Sequence, residues 1–415
     1  MTSSIQTVGG WLPADPKARA AFRKDMLAKA QADGGADVPP PSVLQFYQLI
    51  SSDPLLRMQI SEAILQANTL GYDPGYTSIA EMMQLIEQTV THAFPYTTGG
   101  LVGCPLNLVF DPIMNVTAGY AFFRDTRVNA ALAALLSDWC SFLKSPASTT
   151  YLTDALDGWF GPAALDAIDM SLFECDPSAP HWGFANWDAY FTRKFKPGVR
   201  PIAGVGNPKI ISNSCESAGF ALQQGVSMTD TFWIKSQPYS LSDMFGADNQ
   251  DLAKSFDGGD VYQAFLSAHN YHCWNAPVSG TVVAHYNLPG TYYSDAESEG
   301  YDPAGPNLSQ GYLSSVAARA VIAIDTGDPV LGVIAVIYIG MAEISSNVFS
   351  LPPPDPTTQT ITVKRGDVIG AFHYGGSTHC VITKQGAIKD WHVTGPPFDF
   401  NAAPNPVNSL LATAF

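Results

Sequence analysis

The sequence predicts an α+β fold, in which a helical N-terminal domain is followed by a β-rich domain of barrel-like or sandwich type. Residues 1 to about 150 place apolar side chains at three- and four-residue intervals, the period of an amphipathic helix. From Lys209 onward, short β-rich runs alternate with Gly and Pro turn signals. We therefore predict a helical domain over 1–150, a junction over 151–200 and a β-rich domain over 201–415.

The predicted helices of the first domain follow from this apolar spacing. Pro16 suits a first helical turn, where its missing N–H group costs nothing. The predicted helices cover residues 16–32, 43–50, 54–67, 79–90 and 118–143. No acids, bases or metal ligands cluster in this domain, so we interpret it as a lid or docking domain. A cofactor pocket among the helices is the alternative.

The junction is rich in Ser, Pro, Gly and Asp, with short helices predicted over 152–159 and 162–170. It ends in residues 187–201 (WDAYFTRKFKPGVRP), where aromatic and basic side chains alternate. Such a segment can bind nucleic acid, but here it lies in an acidic chain. A packed helix leading into a Pro-terminated loop is the simpler interpretation.

The β-rich domain contains short predicted strands and one predicted helix, over 260–268. The predicted strands cover residues 209–211, 231–234, 280–285, 317–324, 331–339, 360–363, 368–372 and 380–383.

Composition and charge exclude several classes of function. The 415-residue chain has a net charge of −16, which disfavours nucleic acid and anionic lipid headgroups as partners. Residues 1–11 lack the pattern of a secretory signal, and no apolar run reaches 18 residues, so we expect a cytoplasmic protein without stable membrane insertion. The six cysteines form no C-x-x-C pair, and the acids show no ligand spacing, so no metal is expected.

Residues 366–378 (GDVIGAFHYGGST) read as a strand that runs into a Gly-Gly-Ser-Thr corner. Gly375 and Gly376 allow backbone angles closed to other residues and leave the Gly376 carbonyl unshielded beside the Ser377 hydroxyl. A serine that attacks the peptide bond on its own N-terminal side needs this arrangement. An ordinary Gly-Gly turn followed by Ser-Thr is the alternative.

Four separated segments then resemble one family, the phosphatidylserine decarboxylases. They are residues 191–201 (FTRKFKPGVRP), 270–280 (NYHCWNAPVSG) with 288–290 (LPG), 339–344 (IGMAEI) and 364–378 (KRGDVIGAFHYGGST). The resemblance covers residues 187–390 in the expected order. Within the family the chain looks closer to the soluble fungal branch, which includes the L-tryptophan decarboxylase of psilocybin biosynthesis. The signs are the segment 10–12 (GWL), the run 214–217 (SCES) and Gly-Gly-Ser in place of Leu-Gly-Ser.

The resemblance implies a zymogen that makes its own prosthetic group. Ser377 would attack the Gly376 carbonyl to form an ester, and β-elimination would leave a pyruvoyl group at the new N-terminus. The products would be chains 1–376 and 377–415. The pyruvoyl ketone would form a Schiff base with the substrate amine and accept the electrons left by carbon dioxide, so no pyridoxal phosphate is needed.

The resemblance also assigns roles to individual residues, with departures. His272 would be the general acid that reprotonates the α-carbon. The family's second histidine, the base for self-cleavage, falls on Asn275, which takes no proton near neutral pH. The acidic partner of that base falls on Glu216, where the family has aspartate. Three outcomes stay open: a replacement base (His269, His373 or His379), slow cleavage driven by strain with Asn275 polarising a carbonyl, or no cleavage.

The function implied is a pyruvoyl-dependent decarboxylase (carboxy-lyase) of fungal secondary metabolism, acting on a soluble L-amino acid, with an aromatic one such as tryptophan as the leading candidate. Phosphatidylserine itself is the alternative substrate. A non-catalytic, uncleaved relative is the alternative from another class. The expected partner is the small-molecule substrate, and a homodimer is an assembly that the family resemblance allows.

Overall fold

The computed structural model describes residues 7–8, 12–13, 15–33, 39–96, 104–230, 239–302, 305–353, 360–393 and 403–415. The fold is α+β, as predicted, with most helices in the N-terminal part and the long strands in the C-terminal part. Two compact units form. The first comprises Met1–Phe191, Thr291–Ser309 and Ala342–Ser345, and the second comprises Thr192–Gly290, Gln310–Met341 and Ser346–Phe415. The predicted division near residues 150 and 200 stays a prediction.

The first unit is built mainly from helices whose apolar faces are buried. It also contains a short pair of strands, β1 (Thr7–Val8) and β2 (Leu12–Pro13). The helices are α1 (Pro16–Asp33), α2 (Pro41–Ser52), α3 (Pro54–Thr69), α4 (Ile79–Thr91), α5 (Pro105–Met114), α6 (Thr117–Arg124), α7 (Thr126–Leu143), α8 (Pro162–Ala167) and α9 (Trp187–Phe191). Gly10 and Trp11, part of the segment that suggested a fungal branch, lie outside the described residues.

Side-chain caps mark the starts of α3 and α4, which explains why the predicted starts of these two helices agree with the observed ones. Asp53 accepts hydrogen bonds from the N–H groups of Leu55 (2.9 Å) and Leu56 (3.1 Å), and Pro54 takes the first helical position of α3. Ser78 caps α4 in the same way by accepting from Glu81 N–H at 3.2 Å.

The predicted continuous helix over 118–143 is wrong, because a cap interrupts it. Asp125 has an extended backbone, and its carboxylate accepts from Arg127 N–H at 2.8 Å, which ends α6 and starts α7. The predicted helix over 152–159 is also wrong, since those residues form turns. Helix α5 was missed because Pro105 and Pro112 obscure its helical pattern, although Pro105 occupies a first-turn position.

A buried carboxyl group lies on α5 within this helical unit. Asp111 is fully buried, and burial raises its pKa to about 7, with the nearby Arg23 guanidinium opposing the rise. Arg23 is itself buried and donates to the Asp73 carbonyl at 2.6 Å and to the Leu108 carbonyl at 3.4 Å. The attraction of Arg23 therefore offsets the burial of Asp111 only in part.

We expect the stability of the protein to depend on pH through Asp111. Its folded pKa of about 7 exceeds the ordinary value of 3.8, so its stabilising contribution is complete below pH 3.8 and is lost as pH rises through 7. The difference in melting temperature, Asp111→Asn minus wild type, should therefore grow from pH 5 to pH 8. Each kcal/mol of unfolding free energy that the wild type loses corresponds to about 2–4 °C. Asp154→Asn, at an exposed position, is the control. A constant difference for Asp111→Asn would contradict the expectation.

The second unit is dominated by β-sheet. Its strands are β3 (Ile210–Ser212), β4 (Ala218–Gln224), β5 (Asp260–Leu266), β6 (Cys273–Asn275), β7 (Gly280–Leu288), β8 (Arg319–Asp325), β9 (Val333–Ala342), β10 (Ser346–Phe349), β11 (Thr362–Val363), β12 (Val368–His373), β13 (Gly376–Thr383), β14 (Ile388–Trp391) and β15 (Leu410–Ala414). A seven-stranded sheet has the order β11-β7-β8-β9-β13-β5-β4, and two three-stranded sheets have the orders β10-β12-β6 and β14-β15-β3.

Two sequence predictions for this unit are corrected. The predicted helix over 260–268 is strand β5, which pairs antiparallel with β13 over seven residues. Val261, Tyr262 and Phe265 are residue types that favour strands, and pairing on both edges decides the outcome. Short helices α10 (Leu241–Phe245), α11 (Gln250–Lys254) and α12 (Gln310–Val316) were missed. The predicted strand over 231–234 lies outside the described residues.

Among the described residues, no helix combines the length and the apolar character needed to span a bilayer.

Candidate active site

The bend between β12 and β13 positions the candidate nucleophile. Tyr374 and Gly375 form the bend, and Gly375 has φ +130°, a value that side-chain-bearing residues rarely adopt. Gly376 and Ser377 are already the first two residues of β13, so the predicted Gly-Gly-Ser-Thr corner is wrong in detail. Ser377 therefore lies on a paired strand, opposite Leu266 of β5, instead of at the tip of a turn.

The Ser377 hydroxyl is buried without a hydrogen-bonding partner. The residue has no solvent exposure, and its Oγ makes no hydrogen bond within the described part of the chain. Its neighbour Thr378 is different, because that hydroxyl donates to the Ala264 carbonyl at 2.9 Å. Leaving a buried hydroxyl unsatisfied costs about 1–3 kcal/mol, so the Ser377 hydroxyl does not stabilise the fold through a hydrogen bond. An uncommitted hydroxyl is available for nucleophilic attack.

His272 lies beside the same bend. Its Nδ1 is 2.8 Å from the Asn270 carbonyl, and its own carbonyl accepts from Phe372 N–H at 3.0 Å. Burial lowers the pKa of the ring to about 3, while hydrogen bonding to the backbone of Asn270 and of Gly375 opposes this shift. The ring is thus close to the backbone of Gly375, the residue before Gly376. The backbone groups of Asn270 and Gly375 both favour the protonated ring, although burial outweighs them.

Aromatic rings form the wall of this region. Trp274 and Tyr338 stack with ring centroids 4.0 Å apart, and Phe372 packs edge-on against Trp274 at 5.0 Å. Gly370 is required beneath Trp274, because a Cβ there would lie 2.3 Å from the indole ring. Phe372 also packs edge-on against the His272 ring, with ring centroids 6.3 Å apart. These rings keep the surroundings of His272 apolar and dry, the cause of its depressed pKa.

Glu216 is held by an arginine. Its carboxylate accepts hydrogen bonds from Arg200 Nη2 at 2.5 Å and from Arg200 Nε at 3.0 and 3.1 Å. It also accepts one from Val407 N–H at 2.8 Å. Arg200 in turn lies over the Phe195 ring at 4.3 Å. The carboxylate is therefore already neutralised by a cation. Apart from the presence of Arg200 in a matched motif, no sequence signal indicated this pairing.

Asn275 uses both ends of its amide. Nδ2 donates to the Gly366 carbonyl at 2.9 Å, and Oδ1 accepts from the Tyr271 hydroxyl at 3.2 Å. Tyr271 is buried, which raises its pKa, and Glu216 contributes to that rise. The candidate residues therefore fall into two groups. Gly376, Ser377 and His272 meet at the Gly375 bend, while Glu216 and Asn275 lie around Tyr271.

His379 lies on the same strand as Ser377. The sequence analysis named it as a possible replacement base. It is fully buried, and burial lowers its pKa to about 4. Tyr262 of β5 and Tyr338 of β9 lie on either side of it, with ring centroids 6.5 and 6.4 Å away. Tyr262 and Tyr338 were missed as neighbours of the site, because β5 was taken for a helix and because contacts between strands carry no local signal.

The described residues contain no group of three or more His, Cys, Asp and Glu side chains arranged to hold a metal ion.

Comparison with known proteins adds independent information. Residues 187–395 match a family model described as phosphatidylserine decarboxylase, and residues 40–168 match a second model with that description. "Decarboxylase iboD" of Amanita muscaria is 37% identical over 305 residues, covering 68% of this chain and 83% of that protein. "L-tryptophan decarboxylase" of Psilocybe cubensis is 31% identical over 360 residues, covering 81% and 78%. "Phosphatidylserine decarboxylase proenzyme 3" of Schizosaccharomyces pombe is 28% identical over 213 residues, covering 51% and 20%.

Proposed function

This chain belongs to the phosphatidylserine decarboxylase family, and from that premise we propose that it is a pyruvoyl-dependent amino-acid decarboxylase. The observation that carries the proposal is the buried, uncommitted hydroxyl of Ser377 directly after Gly376. Asparagine at position 275 raises the question whether the chain processes itself, and the surroundings of Ser377 favour processing.

Self-cleavage requires no group from outside the chain except water. The Ser377 Oγ–H bond breaks as Oγ bonds to the Gly376 carbonyl carbon, the C–N bond breaks, and the proton passes to the leaving amine, giving an ester. Loss of the Ser377 α-proton then expels the Gly376 carboxylate and leaves a 2-aminoacrylate. Its tautomer is hydrolysed by water to a ketone and ammonia, so atoms balance and nothing is oxidised.

The residues present fit such a group. Gly376 carries no side chain that would shield its carbonyl, and the rings of Trp274 and Phe372 form an apolar wall in the region. A pyruvoyl group supplies a ketone that binds an amine and an adjacent carbonyl that accepts electrons. His272 would deliver a proton to the α-carbon of the product, since its ring lies at the Gly375 bend and is oriented by the Asn270 carbonyl, 2.8 Å from Nδ1.

We propose an aromatic L-amino acid such as tryptophan as the substrate. The relatives from Psilocybe cubensis and Amanita muscaria support it, because one is named L-tryptophan decarboxylase and the other is named a decarboxylase. Phosphatidylserine is the alternative, and the lower coverage of the phosphatidylserine enzymes together with the net charge of −16 disfavour it. A cytoplasmic location and a homodimer remain predictions.

A non-catalytic relative is the candidate from a different class. Its support is the bonding of Asn275, whose amide is fully used in holding Gly366 and Tyr271. If no other group takes over the base function, the chain stays intact. The unpartnered Ser377 hydroxyl, directly after the unshielded Gly376 carbonyl, weighs against this alternative.

The purified protein should release carbon dioxide and the corresponding amine from L-tryptophan, and none from phosphatidylserine vesicles. Both substrates should be tested on the same preparation, with other aromatic and aliphatic L-amino acids to define the class. Activity on vesicles alone would contradict the proposed substrate. A chain that is uncut and inactive on every substrate would favour the non-catalytic alternative.

A further inference from the structure

We propose that His379 is the general base for self-cleavage and replaces the histidine that the family has at position 275. The inference rests on the proposed function, because it requires that Ser377 attacks Gly376.

The first support is the position of His379 on β13. Side chains two residues apart on a strand point to the same face, so Ser377 and His379 share one face of β13. Two residues of strand span about 7 Å, a separation that an imidazole ring and a serine hydroxyl bridge by a rotamer change or through one water molecule. Directly opposite His379 is Ala264, whose small side chain leaves room for the ring.

The second support is that the two ring nitrogens of His379 have unused hydrogen-bonding capacity. Neither Nδ1 nor Nε2 makes a hydrogen bond in the described part of the chain, although the Ala264 carbonyl slightly favours protonation. The Ser377 hydroxyl, two residues away on β13, is likewise buried without a hydrogen bond. Two unsatisfied groups on one strand face, one of them able to donate a proton and the other to accept it, complement each other.

The third support is the comparison with the other histidines. His272 already has its Nδ1 committed to the Asn270 carbonyl at 2.8 Å. Burial, and after it the charge of Arg193, lowers the pKa of His269 to about 3, so this ring resists taking up a proton. His373 ends β12 opposite Ser346, on the other side of the Gly375 bend from β13. Of these four rings, His379 alone shares a strand face with Ser377.

In the proposed step the Ser377 Oγ–H proton moves to a ring nitrogen of His379 as Oγ bonds to the Gly376 carbonyl carbon. The imidazolium then gives this proton to the Ser377 nitrogen as the C–N bond breaks, which returns His379 to the neutral form. The groups facing His379 from the neighbouring strands are Tyr262 and Tyr338. Burial raises the pKa of Tyr262 to about 12 and that of Tyr338 well above its ordinary value, so both stay neutral.

The test is the rate of cleavage after cell-free synthesis, followed as conversion of the intact chain into two fragments. His379→Gln should slow cleavage by about 10²–10⁴-fold, the usual contribution of a positioned base. His373→Gln and His269→Gln are matched controls and should be cut at the wild-type rate. Between pH 7 and 9 the wild-type rate should stay flat. The His379→Gln rate should rise about tenfold per pH unit, because hydroxide must then remove the proton.

A rescue separates chemistry from folding. Asn275→His in the His379→Gln background restores the family's own base and should recover cleavage, which a misfolded chain would not. Cleavage of His379→Gln at the wild-type rate would overturn the inference and leave the proposed function intact. A slow His379→Gln with a flat pH profile and no rescue would also overturn it. An intact wild-type chain, or cleavage of Ser377→Ala, would instead refute the proposed function.

Discussion

Ser377→Ala should leave the protein as one chain of 44.4 kDa, less the mass of one oxygen, with no decarboxylase activity. The side chain removed is the nucleophile itself, and no other group can supply the atoms of the ketone. Denaturing intact-mass spectrometry distinguishes this outcome from a pair of fragments divided between Gly376 and Ser377. In the wild type the small fragment should begin with a pyruvoyl group.

The matched control is Thr378→Val, which removes the adjacent hydroxyl at nearly constant volume. That hydroxyl donates to the Ala264 carbonyl at 2.9 Å, so the variant should lose about 1 kcal/mol of stability and still be cut. Cleavage of Ser377→Ala at the same bond would refute self-processing by this serine. Failure of both variants to fold would be seen as a loss of the melting transition.

His272→Ala should separate maturation from turnover. We expect the variant to be cleaved but to show a kcat lower by about 10²–10⁴-fold, because reprotonation of the α-carbon loses its acid. KM should change much less, since the proton is needed after the substrate has bound. Steady-state kinetics on protein whose cleavage has been verified by mass provides the measurement.

His373→Ala is the control for a neighbouring histidine without a proposed role, and it should keep both cleavage and turnover. An uncut His272→Ala chain would show that His272 also serves processing, and would count against His379 as the base. A cut chain with the wild-type kcat would remove His272 from the reaction.

Local sequence signals predicted most of the helical unit. Pro54 after Asp53 and Ser78 before Glu81 mark helix starts that the structure shows at α3 and α4. The predictions failed where a capping residue interrupted a longer apolar repeat, and where the apolar pattern did not distinguish a strand from a helix. Asp125 caps α7 in the middle of an apolar repeat, and β5 carries a pattern that only pairing with β4 and β13 resolves.

The candidate site was predictable only through the family motifs. They identified Ser377 and His272, which the structure places at one bend, although no local rule links residues about 100 positions apart. The partners of those residues were not predictable. The pairing of Glu216 with Arg200, the bonding of Asn275 to Gly366 and the neighbours of His379 all depend on which strands meet. Contacts of this kind arise from topology, and periodicity does not encode them.

The seven-residue pairing of β13 with β5 affects how the protein unfolds and refolds after maturation. Cleavage before Ser377 would free the covalent end of β13, but that strand also adjoins β9, and β15 further along the small chain pairs with β3. The small chain would therefore stay bound as a subunit, because its strands paired with those of the large chain before cleavage. Once denatured, the two pieces must find each other by diffusion, so recovery becomes concentration-dependent. The mature form would then persist through slow unfolding and not through reversible refolding.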